Sequence, residues 1–346
     1  MTTADVTIRG AGIFGLATGF VCACRGAKVR IIETKGIGAG SSGGVVGALA
    51  PHTPENWNPK KAFQFESLIM APLFWRKVEK LGRVPSGYGQ TGRVQPILDD
   101  KALDLAHRRA GTATELWQGM AKWEVCATTG SDWEPASPTG YVIRDTLTAR
   151  IQPYQACHAL AKAIIQMGGQ IRSDSYRDEG RVLWATGYEG LKQLGQELQK
   201  PVGGGIKGQA ALLQYRASQL PQIYAESLHI VPHFDDTVGI GSTSEREFDS
   251  PSDTDEQLDE VLQRAYDALP CLRDAPIVQR WAGVRPRAKS RAPMLGHFPG
   301  KQGHYVANGG FKIGFGMAPK IAHVMANLML DGADEIPQGF RVEDSF

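Results

Sequence analysis

Val6-Thr7-Ile8 is a short run rich in β-branched residues, the pattern of a buried strand. Gly10-Ala11-Gly12-Ile13-Phe14-Gly15 follows, and positions 16–24 are small and apolar, which predicts a helix that closes near Gly26. Val29-Arg30-Ile31-Ile32 predicts a second strand, ending at Glu33. Residues 37–51 turn glycine- and serine-rich. Because they follow the strand–turn–helix–strand unit directly, they are expected to form a loop that hugs a ligand and not a linker. Residues 61–139 read as helical and aromatic-rich, with Trp75, Trp117, Trp123 and Trp133. Ala156, Leu160, Ala163, Ile164 and Met167 recur at helical spacing and predict an amphipathic helix over 154–167. Val182-Leu183-Trp184 predicts a strand, closed by Ala185-Thr186-Gly187. Over 206–245 the pattern alternates as in antiparallel strands, and 229–234, Asp235-Asp236 and 238–241 read as a hairpin. A helix over 255–269, a Gly/Arg/Pro-rich stretch over 283–296, a strand over 304–307 and a closing helix over 318–330 complete the chain. Nucleotide-type pieces at both ends and in the middle predict one discontinuous domain (1–60, 140–205 and 281–346) interrupted twice by a second (61–139 and 206–280).

Composition narrows the class. The 346 residues are 42% hydrophobic and 21% charged, which excludes a disordered or fibrous chain. Lys+Arg number 38 against 36 Asp+Glu, a net charge of +2, so no large basic footprint for nucleic acid is expected. No apolar run is long enough to span a bilayer. Met1-Thr2-Thr3-Ala4-Asp5 has no basic region of the secretory kind, and five cysteines fit a reducing compartment, so the expected location is cytoplasmic. Glycine is the outlier, 41 of 346 residues, well above the usual roughly 7%. Such an excess points to backbone brought close to a ligand.

The first chemical motif is Gly10-x-Gly12-x-x-Gly15 with Glu33. The first glycine permits the tight turn, the second lets backbone approach a pyrophosphate, and the third lets the helix pack on the strand. The helix N-terminus then faces the phosphate charge. Glu33 ends the second strand, where a carboxylate accepts hydrogen bonds from ribose hydroxyls. Arg9 is unusual, a charge where an apolar residue normally precedes the turn, and it is expected to leave the sheet edge or meet an acid.

From here the sequence resembles the D-amino-acid oxidase and glycine oxidase family of FAD-dependent oxidoreductases. The resemblance covers nearly the whole chain and rests on motifs in order. After the fingerprint come Ser41-Ser42-Gly43-Gly44 to Ala50-Pro51-His52, Ala185-Thr186-Gly187, Lys207-Gly208-Gln209 and Gly241-Ser242-Thr243-Ser244-Glu245. Trp281-Ala282-Gly283-Val284-Arg285-Pro286 and Val306-Ala307-Asn308-Gly309-Gly310-Phe311-Lys312-Ile313-Gly314 follow. The resemblance implies an α/β fold: a Rossmann-like FAD-binding domain plus a discontinuous α+β substrate domain with an antiparallel sheet.

It also implies that FAD is held by Gly10, Gly12, Ile13, Phe14, Gly15, Glu33 and Thr34, by Ser41, Ser42, Gly43, Gly44 and Val46, by Gly187, and by Gly310, Phe311, Lys312, Ile313 and Gly314. Arg285, in Gly-x-Arg-Pro, is expected to clamp a substrate carboxylate. His229 stands where the family usually places a substrate-covering tyrosine. His229, His52 and Lys312 are the candidate polar groups beside the flavin, although hydride transfer from a neutral amine requires no protein base. No cysteine falls between Trp281 and Lys320, and Gly43 and Gly44 occupy the loop where some relatives carry a flavin-linked histidine, so FAD is expected to be non-covalent. Cys22 and Cys24 diverge on a helix, and no metal is expected. The expected reaction is oxidation of the C–N bond of a small amine or amino acid, with electrons passing to dioxygen or another acceptor. Three rivals remain open on the sequence: a relative acting on a modified tRNA base, an NAD-linked dehydrogenase, and a flavin-binding protein without turnover.

Overall fold

The computed structural model describes residues 4–173 and 177–346; the reading of residues 1–3 as free of a leader lies outside them. The predicted opening unit forms. Val6–Arg9 (β1), Ile13–Cys24 (α1) and Val29–Ile32 (β2) follow in order, with β1 and β2 parallel and Val6 opposite Val29. The helix starts three residues earlier than the apolar pattern predicts. Gly12 is extended (φ −82°, ψ 178°) and the chain turns helical at once. Gly15 and Gly19 let α1 lie on the sheet: a Cβ at Gly19 would stand 2.9 Å from the Ile8 side chain.

Ala48–Leu49 (β3) leads to Pro59–Gly82 (α2), capped by the Asn58 side chain, which accepts from the Lys61 N–H. Then come Arg93–Pro96 (β4), Asp100–Leu116 (α3), Trp123–Ala127 (β5), Tyr141–Asp145 (β6) and Ala149–Arg150 (β7). The expectation that 61–139 is helical holds for α2 and α3 only. β4 and β5 are short strands whose period-2 signal is too brief to read against flanking helices, and they form because partner strands pair with them. Pro153–Gln166 (α4), Gln170–Arg172 (β8), Arg181–Trp184 (β9) and Gly187–Glu197 (α5) follow. Gly203–Gln214 (β10), Gln222–Ala225 (β11), Leu228–Pro232 (β12), Thr237–Gly241 (β13) and Glu256–Ala268 (α6) come next. The chain closes with Ile277–Ala288 (β14), Met294–His297 (β15), His304–Asn308 (β16) and Gly314–Asp331 (α7). The first part of the Gly/Arg/Pro-rich stretch belongs to β14, whose Pro286 is tolerated because the strand lies at a sheet edge.

Two large sheets result. The six-stranded sheet has the order β15-β16-β9-β1-β2-β8 and is parallel except for β15. α1 packs between α4 and α7, and α2 lies against both of those helices. The eight-stranded sheet has the order β14-β10-β13-β12-β11-β4-β6-β5 and is antiparallel except for the β11–β4 pair. Its core gathers Ile223, Ile230, Val238 and Ile240 with Leu258, Val261 and Leu262 of α6. The predicted hairpin is β12–β13, with His229 opposite Gly241. β6, inside 140–205, and β14, mostly inside 281–346, belong to the eight-stranded sheet, while α2, mostly inside 61–139, packs on helices of the six-stranded one.

Candidate active site

The parallel strands β1, β2, β9 and β16 end at one edge of the six-stranded sheet, and a cleft of about 740 Å³ opens there, walled on its other side by β13 and β14. Ligands of open α/β sheets bind at such carboxyl ends. Gly10 sits at φ +106°, and a Cβ there would stand 2.4 Å from the Ala185 carbonyl oxygen; one at Gly15 would stand 2.1 Å from the Gly10 carbonyl oxygen. The turn is therefore built for closest approach of β1, β9 and α1. α1 has neither a side-chain cap on Gly12 nor an acid in its first turn, so its partial positive charge faces the cleft. Ser42 Oγ accepts from the Ile13 N–H at 3.0 Å, tying the Ser/Gly loop to that helix end. The Glu33 carboxylate accepts from the Ala11 N–H at 2.9 Å and from the Lys35 N–H at 2.7 Å, which holds it beside the turn.

At the other end of the cleft, α7 also starts without a side-chain cap or acid. Gly310 leaves room for the Phe14 ring, which a Cβ would approach to 2.7 Å, and Phe311, with left-handed φ of 45°, donates its N–H to the Pro286 carbonyl at 2.9 Å. The two helix starts facing the cleft, neither with an acid in its first turn, and the glycine cradles between them fit an extended dinucleotide. Its diphosphate would lie by Gly10, Gly12 and Ile13, and its ring system by Gly44, Val46, Gly310 and Gly314.

Arg285 stands on β14 at the wall of the cleft, only 9% exposed. Its guanidinium donates to Ser242 Oγ at 2.6 Å and to the Thr243 carbonyl at 3.3 Å. It lies flat over Gly208 of β10, where a Cβ would meet Nη1 at 1.9 Å. Burial pushes the guanidinium down to about 10, while the Glu245 carboxylate works against that shift; it is cationic at neutral pH. Lys312 lines the same cleft, its pKa lowered by burial and by the neighbouring Arg285 charge. His229 lines it too. Burial, then the charges of Arg93 and Lys312, lower the imidazole to about 3, so it is neutral in solution near pH 7. Its Nδ1 is buried without a partner, and its ring tilts over Tyr224 at 4.8 Å. A tyrosine is thus present beside the histidine, one strand over.

Of the predicted cofactor positions, Gly10, Gly12, Ile13, Phe14, Glu33, Thr34, Ser41, Ser42, Gly44, Val46, Gly187, Gly310, Phe311, Lys312 and Gly314 line the cleft. Gly15, Gly43 and Ile313 do not; they shape the turns beneath it, a Cβ at Gly43 meeting the Gly38 carbonyl oxygen at 2.6 Å. His52 also falls outside, with its backbone N–H and Nδ1 both on the side-chain amide oxygen Oε1 of Gln64 on α2. Arg9 has the expected acid, Asp178 at 3.0 Å, and stacks over Trp184. Trp281, Gly283, Ser242 and Gly208 were not singled out as site residues, yet the first three line the cleft and Gly208 seats the Arg285 guanidinium. Trp281, Gly283 and Arg285 alternate along β14, a period-2 signal that would have exposed them had the stretch been read as a strand.

Fold and cleft together define a two-sheet dinucleotide-dependent oxidoreductase. Comparison with known proteins makes this specific. The model of a family described as FAD dependent oxidoreductase matches residues 5–328. The glycine oxidase of Pseudomonas putida is 25% identical over 96% of both chains. Among solved structures, glycine oxidase from Geobacillus kaustophilus superposes with a TM-score of 0.83 at 22% identity, covering 99% of each chain. Iminodiacetate oxidase from Chelativorans sp. BNC1 superposes with a TM-score of 0.83 at 20% identity, covering 97% of this chain and 98% of that one. The chain belongs to the family of FAD dependent oxidoreductases that also contains the glycine oxidases. It is an enzyme, and FAD is its cofactor, which sets aside the NAD-linked reading.

Proposed function

We propose that the protein oxidises the C–N bond of a small amino or imino acid, with FAD bound non-covalently across the two sheets. The observation that carries this reading is Arg285: a buried guanidinium on the cleft wall, seated on Gly208 and aimed by Ser242 and Thr243. A planar cation so fixed suits a carboxylate, which it binds in one orientation. The curated relative and both solved neighbours act, by their names, on small amino or imino acids.

FAD, when bound, would supply the hydride acceptor for the carbon next to nitrogen and pass the two electrons to dioxygen or another acceptor, with an imine as the oxidised product. This chain's own part is orientation. Arg285 and Lys312 give the substrate end of the cleft a positive potential that draws the carboxylate and holds the α-carbon in place. His229, neutral, offers a hydrogen bond to a neutral amine without adding charge. The glycines at 10, 12, 44, 310 and 314 keep side chains out of the cofactor's path.

The test is an anaerobic titration of the purified yellow protein with glycine, sarcosine, D- and L-amino acids and cyclic imino acids. Bleaching of the flavin's visible band by one of these classes is expected and names the substrate. A flavin that none of them bleaches, although dithionite does, would refute the amino-acid reading.

A further inference from the structure

Arg285 is backed by a second set of charges that the cleft does not use. Lys207 and Glu245 are buried, 3% and 8% exposed, and pair at 3.4 Å; Asp255 stands 3.8 Å from Lys207 at the half-exposed edge. Gln209, fully buried, donates to Glu245 Oε1 at 3.1 Å and to Asp255 Oδ1 at 2.8 Å, and Thr243 Oγ1 donates to the same Glu245 oxygen. Backbone bonds in both directions between Lys207 and Glu245, at 2.9 Å, lock the segment carrying Ser242 and Thr243 onto β10. The segment that aims Arg285 is therefore the one that holds Glu245, and the Glu245 charge bears on the guanidinium.

We propose that Glu245 is a positioning residue acting through Arg285: its carboxylate, shared with Lys207, offsets part of the clamp's charge and so sets how tightly the cleft holds a carboxylate. The inference rests on the reading of Arg285 as that clamp. It has a functional logic. Substrate and imino-acid product carry the same carboxylate, so an unopposed buried guanidinium would bind both tightly, slow release and add nothing to the chemical step.

Calorimetric titration of the FAD-loaded protein with propionate and propionamide tests it. Glu245→Gln keeps the side chain's size and its bonds to Thr243 and Gln209 while removing the charge. Propionate should bind about tenfold tighter, and propionamide unchanged, as expected for losing one charge close to the guanidinium. Lys207→Met removes the cation that shares Glu245 and should weaken propionate by a similar factor, whereas Lys207→Arg should leave it as in the parent. A cluster serving only as scaffold would weaken propionate in both charge-removing variants; that result, or no change in either, overturns the inference. If Glu245→Gln does not fold, Asp255→Asn must shift propionate the same way by less, and weaker binding there is equally fatal. Arg285→Ala separates the two levels. It should abolish the preference for propionate over propionamide, and if the preference survives, the clamp reading itself fails whatever the cluster does.

Discussion

A single methyl group is enough to test the clamp. At Gly208 it would stand 1.9 Å from Nη1 of Arg285, on a strand held on one side to Gly283 of β14 and on the other by backbone bonds of Lys207 to Glu245 and of Thr243 to Gln209. Gly208→Ala should displace the guanidinium and reduce the affinity for propionate by at least about tenfold, the loss of one charge-assisted hydrogen bond or more. Propionamide binding and the circular dichroism spectrum should not change. Unaltered propionate binding would mean that the guanidinium has another productive seat. The residues carrying this argument differ in legibility. Arg285 stands out through its Gly-x-Arg-Pro context. Gly208 does not, because nothing local distinguishes a glycine that seats a side chain 77 positions later from one that ends a turn.

Among the secondary elements, the turn between β1 and α1 is the most constrained. Gly10 combines a positive φ with the Ala185 carbonyl 2.4 Å from any Cβ, whereas Gly36, at φ +116°, has nothing within 4 Å. The comparison separates backbone strain from crowding. Gly36→Ala should cost about 1–3 kcal/mol of stability and leave the protein yellow. Gly10→Ala adds a clash that pushes the β1–α1 turn away from Ala185 at the end of β9, and the purified protein should lose most of its FAD, read as the ratio of visible to ultraviolet absorbance. A fully loaded Gly10→Ala would show that the cofactor does not depend on this turn. The opening unit was legible because strand, glycine turn, helix and acid lie within 33 residues and satisfy one another locally. β4 and β14 were not, since β4 pairs with β6 and β11 and β14 with β10, far off in the chain; β5 pairs with the next strand, β6, but is a short edge strand with too brief a pattern to read.

Across the whole molecule, buried histidines make stability depend on pH. Burial lowers His229 to about 3 and also lowers His233 and His52 from 6.5. Below the unfolded value the denatured chain binds more protons than the native one. Stability therefore rises with pH, is complete above about 6.5, and is lost as the pH falls below it. The carboxylates Glu55 and Glu197, lowered chiefly by hydrogen bonds from Arg109 and Lys301, add their own loss only further down, below their ordinary 4.5. Melting temperature should fall between about pH 7 and about pH 5, and fall less steeply in His229→Gln. A flat profile over that window would mean that these imidazoles are hydrated in solution. No helix among the described residues is long and apolar enough to cross a membrane.

Read by itself, the chain determined the nucleotide unit, the hairpin, the glycine-lined path and the arginine, because each is written in residues close together or in a motif whose chemistry is local. Tertiary structure alone decided what surrounds that arginine. β10, the 242–245 segment and β14 meet only when the eight-stranded sheet closes, and only then do Gly208, Ser242 and Glu245 become the seat, the guide and the nearby opposite charge of Arg285. The same holds for His52, which sequence position places next to the flavin loop and packing on α2 turns away. The physical reason is range. Glycine turns and helix starts are set by neighbours in the chain, while strand pairing, burial and electrostatics are set by neighbours in space.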